Sequence, residues 1–572
     1  MKKRTTSAAF VIVVIIVAIA VIVVGNIIEK RTPSKKHISA EELLTIYGLN
    51  EGNATGSGDQ AAIILQNTLL EEKAMVENGR VYLDYHFVKN TINDKFYWDT
   101  NENLLIYTTP IDIIKAEVGS QDYYVTKAKT TADYVIVKVN GSQVYVALDF
   151  VKQYSDIAFA YYENPSRVCI TNEWNVSVDK CALKKGVKIR KAAGIKSDIL
   201  YDCKEETPVT ILAAENKWSQ VVTDDGYFGY VKNTELSRKN TVTLTSDFVK
   251  PDYSRLSIGK TVSMGWHMIT SQVANSQLID LVTQAKGLNV VSPTWYRLSD
   301  NEGNMTSLAD ADYVARAHLV GLQVWAMVDD QSSESDNKQI FPYTSKREKL
   351  INQLIANAIE YDFDGINIDF EYITGDIADD YIQFLRELSV KCRINGIILS
   401  VDDKVPDLGN TYYNLKAQGE VADYIIMMGY DEHWGADSGA GSVASLPWVE
   451  NGVSAMAQQV ESSKIVLAIP FYTRIWTEDV DGNVRDCSSA DMTSAAQALV
   501  NHGVEPVWVD SFGQNYGEYD ENGNTVRIWL EDSTSIEEKL KLIQKYQLAG
   551  VSAWRLGLES SELWNTIIKY TN

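Results

Sequence analysis

The C-terminal half of this 572-residue chain is predicted to be α/β, a closed (β/α)8 barrel, preceded by a transmembrane helix and two small β-rich domains. Three observations predict it. From about Gly259 onward, short apolar strand patterns alternate with amphipathic helical patterns, the arrangement a parallel sheet requires. Ahead of that, one Asn-Gly segment recurs and short alternating strands are separated by turn residues. At the N-terminus, Lys2, Lys3 and Arg4 precede an unbroken apolar run from Ala8 to Val24.

As a helix that run, extended by Ile27 and Ile28, is long enough to cross about 30 Å of hydrocarbon. Its basic flank predicts a cytoplasmic tip and a signal anchor over 1–29, so the protein is expected at the cell membrane, single-pass, with the later domains outside. A cleaved signal peptide is the alternative, although no clear small-x-small cleavage site follows the run. Net charge is −23 and the pI near 4.8, which argues against nucleic-acid binding and against adhesion to anionic polymers by bulk charge. A hydrophobic content of 45% over this length supports two to four globular units.

Residues 30–75 read as a polar stalk with a short helix around Ala40 to Tyr47. Over 76–173, Asn78-Gly79-Arg80-Val81-Tyr82-Leu83 followed by Phe87-Val88-Lys89 recurs as Asn140-Gly141-Ser142-Gln143-Val144-Tyr145-Val146 followed by Phe150-Val151-Lys152. Each half is predicted as strand, short helix, strand hairpin. This duplication resembles the β-rich domain at the N-terminus of copper amine oxidases, a likeness that implies no copper chemistry. Over 174–238, β runs at Val187 to Arg190 and Val209 to Leu212 precede Trp218-Ser219-Gln220-Val221, the turn Asp224-Asp225-Gly226 and Phe228-Gly229-Tyr230-Val231. The order resembles a bacterial Src-homology-3-type barrel, which serves wall enzymes as a binder or a spacer. Cys181 and Cys203 fall in this domain, with their pairing left open, and the five cysteines form no metal pattern.

After a linker at 239–256, residues 257–572 contain eight predicted strands: Thr261 to Trp266, Asn289 to Ser292, Gln323 to Val328, Gly365 to Glu371, Ile397 to Val401, Tyr424 to Tyr430, Ile465 to Tyr472 and Gly550 to Leu556. Eight such βα units match a TIM barrel, whose active residues sit at the carboxyl ends of the strands. Residues 474–530 are too long for one loop and are expected to form an α+β insertion. At its end, Ser535-x-x-Glu538 reads as a capping box for the helix before the last strand.

The fourth strand carries the most chemistry. In Asp364-Gly365-Ile366-Asn367-Ile368-Asp369-Phe370-Glu371, alternation puts Asn367, Asp369 and Glu371 on one face, successive pairs roughly 6.6 Å apart. Carboxylates on so apolar a strand need partners or shifted pKa values, which suggests a site where a proton is held and delivered. The segment closely resembles the Asp-Gly-x-Asp-x-Asp-x-Glu strand of family 18 glycoside hydrolases, with Asn367 replacing an aspartate, a variant similar to the branch of spore-cortex and cell-wall N-acetylglucosaminidases. The resemblance implies that Glu371 is the general acid, that Asp369 assists it, and that Met428-Gly429-Tyr430-Asp431 and Trp554 match the family's Met-x-Tyr-Asp element and its tryptophan floor. Tyr430 would then contact the acetamido group of the sugar. Further candidate lining residues are Tyr472, Trp266, Tyr296, Trp295 and Trp325, since aromatic planes satisfy the C–H faces of sugars.

Asn367 either fills the barrel interior or, by donating its amide to Asp369, favours the carboxylate form of that residue. Asp329, Asp402 and Asp403 lie near strand ends without a motif, and Glu432 and His433 lack the further ligands a metal would need. No cofactor and no metal are expected. Three function classes follow: a membrane-anchored glycosidase acting on N-acetylglucosamine linkages of peptidoglycan, the same chemistry on chitin or glycoprotein glycans, and a non-catalytic carbohydrate binder.

Overall fold

The computed structural model describes residues 5–49 and 60–571. Lys2, Lys3, Arg4 and the part of the expected stalk at 50–59 lie outside the described residues. The N-terminal helix spans Thr5–Arg31, and its window Ile12–Arg31 has a mean hydropathy of 2.9 with none of it buried. It is one N-terminal apolar helix, of the kind that serves as a signal peptide or a signal anchor.

The chain divides into two compact units, the first reaching Phe96 and including Ala116–Tyr123 and Thr130–Lys250. Within the first, segments that read as a stalk are folded. Ser34 and Ile38 donate backbone hydrogen bonds to Ile195 and Ile199, and helix Ala40–Ile46, capped by Ser39, packs Leu44 and Tyr47 against Ala62 and Ile64. The duplicated domain contains a seven-stranded sheet in which equivalent strands of the two copies lie side by side. Arg80–Asp84 pairs antiparallel with Gln143–Ala147, Val146 opposite Leu83, and each strand leads into a short helix. The Src-homology-3-like domain is a second seven-stranded sheet in which Trp218–Thr223 and Phe228–Lys232 pair across the predicted turn. Gly226 in that turn has φ +84°, and a Cβ there would lie 2.6 Å from Ile64, so the turn's contact with the duplicated domain requires glycine. All five cysteines are free; Cys181 and Cys203 are buried in one small core.

The second unit is the barrel. Its strands are β1 (Val262–His267), β2 (Val290–Pro293), β3 (Gln323–Asp329), β4 (Gly365–Asp369), β5 (Ile398–Lys404), β6 (Tyr424–Met428), β7 (Ile465–Pro470) and β8 (Gly550–Trp554). They pair in chain order, all parallel, and β8 closes on β1 through Val262 and Gly550. Inward residues stack in layers. Trp325 and Tyr424 lie 5.2 Å apart near the amino end, and a Cβ on Gly365 would come within 2.7 Å of Trp325, so this glycine admits the indole. Outward residues join the surrounding helices in a continuous apolar shell.

The insertion forms a five-stranded antiparallel sheet, Tyr472–Glu478 and Asn524–Leu530 at its centre, covered by helix Met492–Asn501. The helix that follows spans Ser533–Tyr546 and differs from expectation at its start. Its N-cap is Asp532, with Ser535 at N3, because Asp532 already accepts from the amides of Thr534 and Ser535. Just before it, Glu531 and Lys539 form an ion pair with no exposed surface.

Tyr97–Lys115 also belongs to the barrel unit. Helix Thr344–Tyr361 has no side-chain cap of its own at Tyr343. A hairpin from far upstream supplies one: Asp99 accepts from the amide (2.7 Å) and hydroxyl (2.5 Å) of Thr344, and Glu102 accepts from the amide of Ser345. One turn later Arg347, fully buried, pairs with Glu387 at 3.0 Å and donates to the Tyr97 hydroxyl. Asp99→Ala is expected to destabilise the barrel by about 1–2 kcal/mol through the lost cap, read as a lowered midpoint in urea denaturation with activity at low denaturant retained.

Candidate active site

The carboxyl ends of the strands open into a cleft of about 990 Å³. Glu371, Asp369, Tyr430, Asp431, Met428, Tyr472, Trp266, Tyr296 and Trp554 all line it. Trp325 lies below, filling the barrel, and Trp295 and Tyr296 present only a small edge, each at most 2% exposed. Trp554 and Trp266 meet at 5.8 Å on the floor, and the peptide bond after Trp554 is cis.

β4 ends at Asp369, two residues before the predicted end. The reason is local: the amides of Glu371 and Tyr372 both donate to the carboxylate of Asp330 at 2.9 Å, so the backbone leaves the ladder with β5. Asp330 is itself buried and receives the Asn337 amide at 2.6 Å. The next residue, Gln331, donates to Glu371 Oε1 at 2.9 Å, while Lys404 Nζ lies 3.4 Å from Oε2. The end of β3 thus grips Glu371 by backbone and side chain.

Asn367 lies under the cleft with no exposed surface. Its oxygen accepts from Trp266 Nε1 (2.9 Å) and Ser292 Oγ (3.0 Å), and its Nδ2 donates to Ser400 Oγ (3.1 Å) and Asp402 Oδ1 (2.8 Å). The expected donation to Asp369 is therefore not made. Asp369 projects from the next inward layer of the same strand, whereas Ser400 stands opposite Asn367 in register on β5. With all four positions filled, Asn367 reaches the cleft only through Asp402 and Trp266.

Burial, then the charge of Asp402, holds the Asp369 carboxyl well above the usual carboxylate range. Burial does the same to Asp402, with the Asn367 amide pulling the other way. The two titrate as a pair that retains a proton. Asp369 Oδ1 is buried without a hydrogen-bond partner among the described residues. Burial and the neighbouring Asp369 raise the Tyr430 hydroxyl above its ordinary value, so it remains a donor. Tyr472 donates to Asp431 at 2.6 Å, and Arg474 lies 3.4 Å from the same oxygen. Asp329 is clasped by Arg297 through two bonds of 2.7 and 3.1 Å.

Asp329 and Asp402 stand in no sequence motif, and no local pattern marks Asp330, Gln331 or Lys404. Trp434 and Tyr372, each 65% exposed on the cleft, were likewise not singled out, since exposed aromatics in loops have no periodicity. Glu432 caps the backbone at Ser445, and His433 turns to carbonyls of Ser438 and Gly439. No group of three candidate metal ligands occurs among the described residues.

An eight-stranded barrel with paired acids at the end of its fourth strand, and aromatics beneath them, defines a glycoside hydrolase. Residues 298–559 match the family model for glycosyl hydrolases family 18, residues 64–170 that for the copper amine oxidase N-terminal domain, and residues 185–237 that for the bacterial SH3 domain. The chain carries a family 18 glycoside hydrolase domain preceded by these two modules. It is 25% identical to an uncharacterized glycosylase, YvbX, of Bacillus subtilis, over 50% of this chain and 85% of that one. It is 28% identical to the cortical fragment-lytic enzyme of Bacillus subtilis over 39% of this chain and 52% of the relative. Chitinase B of Serratia marcescens is 24% identical over 40% of this chain and 61% of its own length. The chain thus spans about half the length of the cortical relative.

Two measurements follow. Asp330→Ala should lower kcat by about 10- to 100-fold with little change in KM, because it releases the backbone that aims Glu371 while leaving the sugar-binding surfaces intact. Asp403, buried and bonded to Gln418, has its carboxyl pushed up to about 7. A carboxyl raised in the folded state stabilises while protonated; that contribution is complete below the unfolded value near pH 4 and is lost as pH rises through about 7. Asp403→Asn should therefore flatten the decline in unfolding free energy over that window, measured by urea titration at several pH values.

Proposed function

We propose that the protein is a membrane-anchored retaining glycosidase that hydrolyses β-1,4 linkages of N-acetylglucosamine in peptidoglycan. The observation that carries this reading is the orphaned, buried Asp369 Oδ1 beside Glu371 at the cleft floor, an acceptor suited to the N–H of a 2-acetamido group. Cortical fragment-lytic enzymes among the relatives and an apolar N-terminal helix that would hold the barrel beside the wall favour peptidoglycan over chitin.

Family 18 enzymes depart from the two-carboxylate scheme by using the substrate's own acetamido oxygen. That oxygen attacks C1 while the C1–O bond breaks, and the leaving oxygen takes the proton of Glu371. Asp369 accepts the acetamido N–H and stabilises the resulting oxazolinium ion, and the Tyr430 hydroxyl contacts the acetamido oxygen. Trp554 supports the apolar face of the sugar. The Glu371 carboxylate then removes a proton from water as it adds to C1, so configuration is retained. Asp402 shares the proton of Asp369 and tunes it, with Asn367 as the positioning residue below. Met428, Asp431, Tyr472, Trp266 and Tyr296 complete the walls, and neither metal nor cofactor enters.

Glu371→Gln should reduce turnover of purified peptidoglycan by about 10²- to 10⁴-fold while sparing glycan binding. Mass analysis of the wild-type products should show N-acetylglucosamine at new reducing ends. Near-normal hydrolysis by the variant would remove Glu371 from this role, and wild-type turnover confined to chitooligosaccharides would replace peptidoglycan with chitin.

A further inference from the structure

The cleft's charges leave one cation poorly matched. Asp329 is paired with Arg297 and Asp431 with Arg474, while Asp369 and Asp402 hold one proton and one negative charge in the buried layer, neither forming an ion pair with Lys404 among the described residues. Asp407, exposed in the loop after β5, accepts from the amide of Gly409. Lys404, at the end of β5 and 48% exposed, makes its polar contacts among the described residues with Glu371, at 3.4 Å to Oε2 and 3.4 Å to the carbonyl oxygen. Both contacts are long, and an ammonium has three protons to donate. When Glu371 is protonated for its acid step it carries no charge, and Lys404 then faces the bound substrate with no ion-paired carboxylate among the described residues.

Peptidoglycan supplies an anion at that place. The scissile oxygen that Glu371 must reach is O4 of the sugar on the leaving side, which in alternating strands is N-acetylmuramic acid. Its lactyl ether is on O3, the adjacent carbon. A cation 3.4 Å from the acid that meets O4 is therefore within reach of the lactyl carboxylate. In strands bearing stem peptides this carboxyl is tied up as an amide; after the peptide is hydrolysed away it is a free anion.

We propose that Lys404 is a specificity-determining residue that recognises the free lactyl carboxylate on the leaving-side sugar, so that the enzyme acts by preference on glycan strands already stripped of peptide. The inference rests on the peptidoglycan reading above. It places the reaction after an amide hydrolysis, the class of reaction that generates the carboxylate.

The test compares peptide-free glycan strands with the same strands after conversion of their lactyl carboxylates to methylamides. For the wild type, kcat/KM should favour the carboxylate form by about 10-fold, the lower end of what a hydrogen bond to a charged group contributes. That preference should shrink as salt is raised from low to high concentration, since the group is half exposed. Lys404→Met should bring the ratio close to one, and Lys404→Arg should keep most of it. Cleavage of both strands by the wild type at equal efficiency, or a preference that survives in Lys404→Met, overturns the assignment while leaving the peptidoglycan reading intact. Cleavage of neither strand, with chitooligosaccharides turned over, overturns both. Should Lys404→Met fail to fold, the wild-type ratio and its salt dependence still decide: a ratio independent of salt refutes an ionic contact.

Discussion

The side-chain amide of Asn367 is the junction on which the rest of the site depends. It has no exposed surface, and its four bonds join β1, β2 and β5 to β4. A buried amide with any of these unfilled would forfeit about 1–3 kcal/mol, so the indole of Trp266 and the carboxyl of Asp402 are both held in place by the same requirement. An aspartate here would offer no proton to Asp402 and would add a third acid to a pair already crowded by burial. The asparagine bridges the acidic layer without adding a titrating group to it.

A second constraint lies in the backbone. Three consecutive residues at the end of β3 serve different parts of the acid: Asp329 faces Asp369 in register, Asp330 receives the amides of Glu371 and Tyr372, and Gln331 reaches the carboxylate. The acid stands in the loop just past its strand, yet it is oriented by a neighbouring strand. Loop position gives it access to the cleft and strand contacts give it a fixed aim, the combination that proton delivery demands.

Much of this was legible from the sequence. All eight barrel strands could be read from apolar runs, and Asp369, Glu371, Tyr430, Asp431 and Trp554 of the cleft from motifs at their ends, because inward alternation and strand-end chemistry leave local patterns. Glycine 365 could be seen but its reason could not, since Trp325 lies on another strand. Asp330 escaped because it acts on main-chain amides, which carry no side-chain signature. Of the two roles open to Asn367, filling the barrel interior matches its burial, and donation to Asp369 fails because spacing along a strand is visible in sequence and register between strands is not. The cap of Ser533–Tyr546 shifted for a simpler reason: several capping residues stood in a row, and only geometry selects Asp532.

The hairpin that caps helix Thr344–Tyr361 has a consequence for how the chain is made. Asp99 leaves the ribosome 245 residues before Thr344. At about 5–20 residues per second, roughly 12–50 s separate the two during synthesis. Throughout that interval the hairpin's apolar side, including Ile106 and Ile113, has no helix to cover it, and its acids have no amides to receive. Closing so long a loop is slow. The barrel therefore matures around a partner that has been waiting since early in translation.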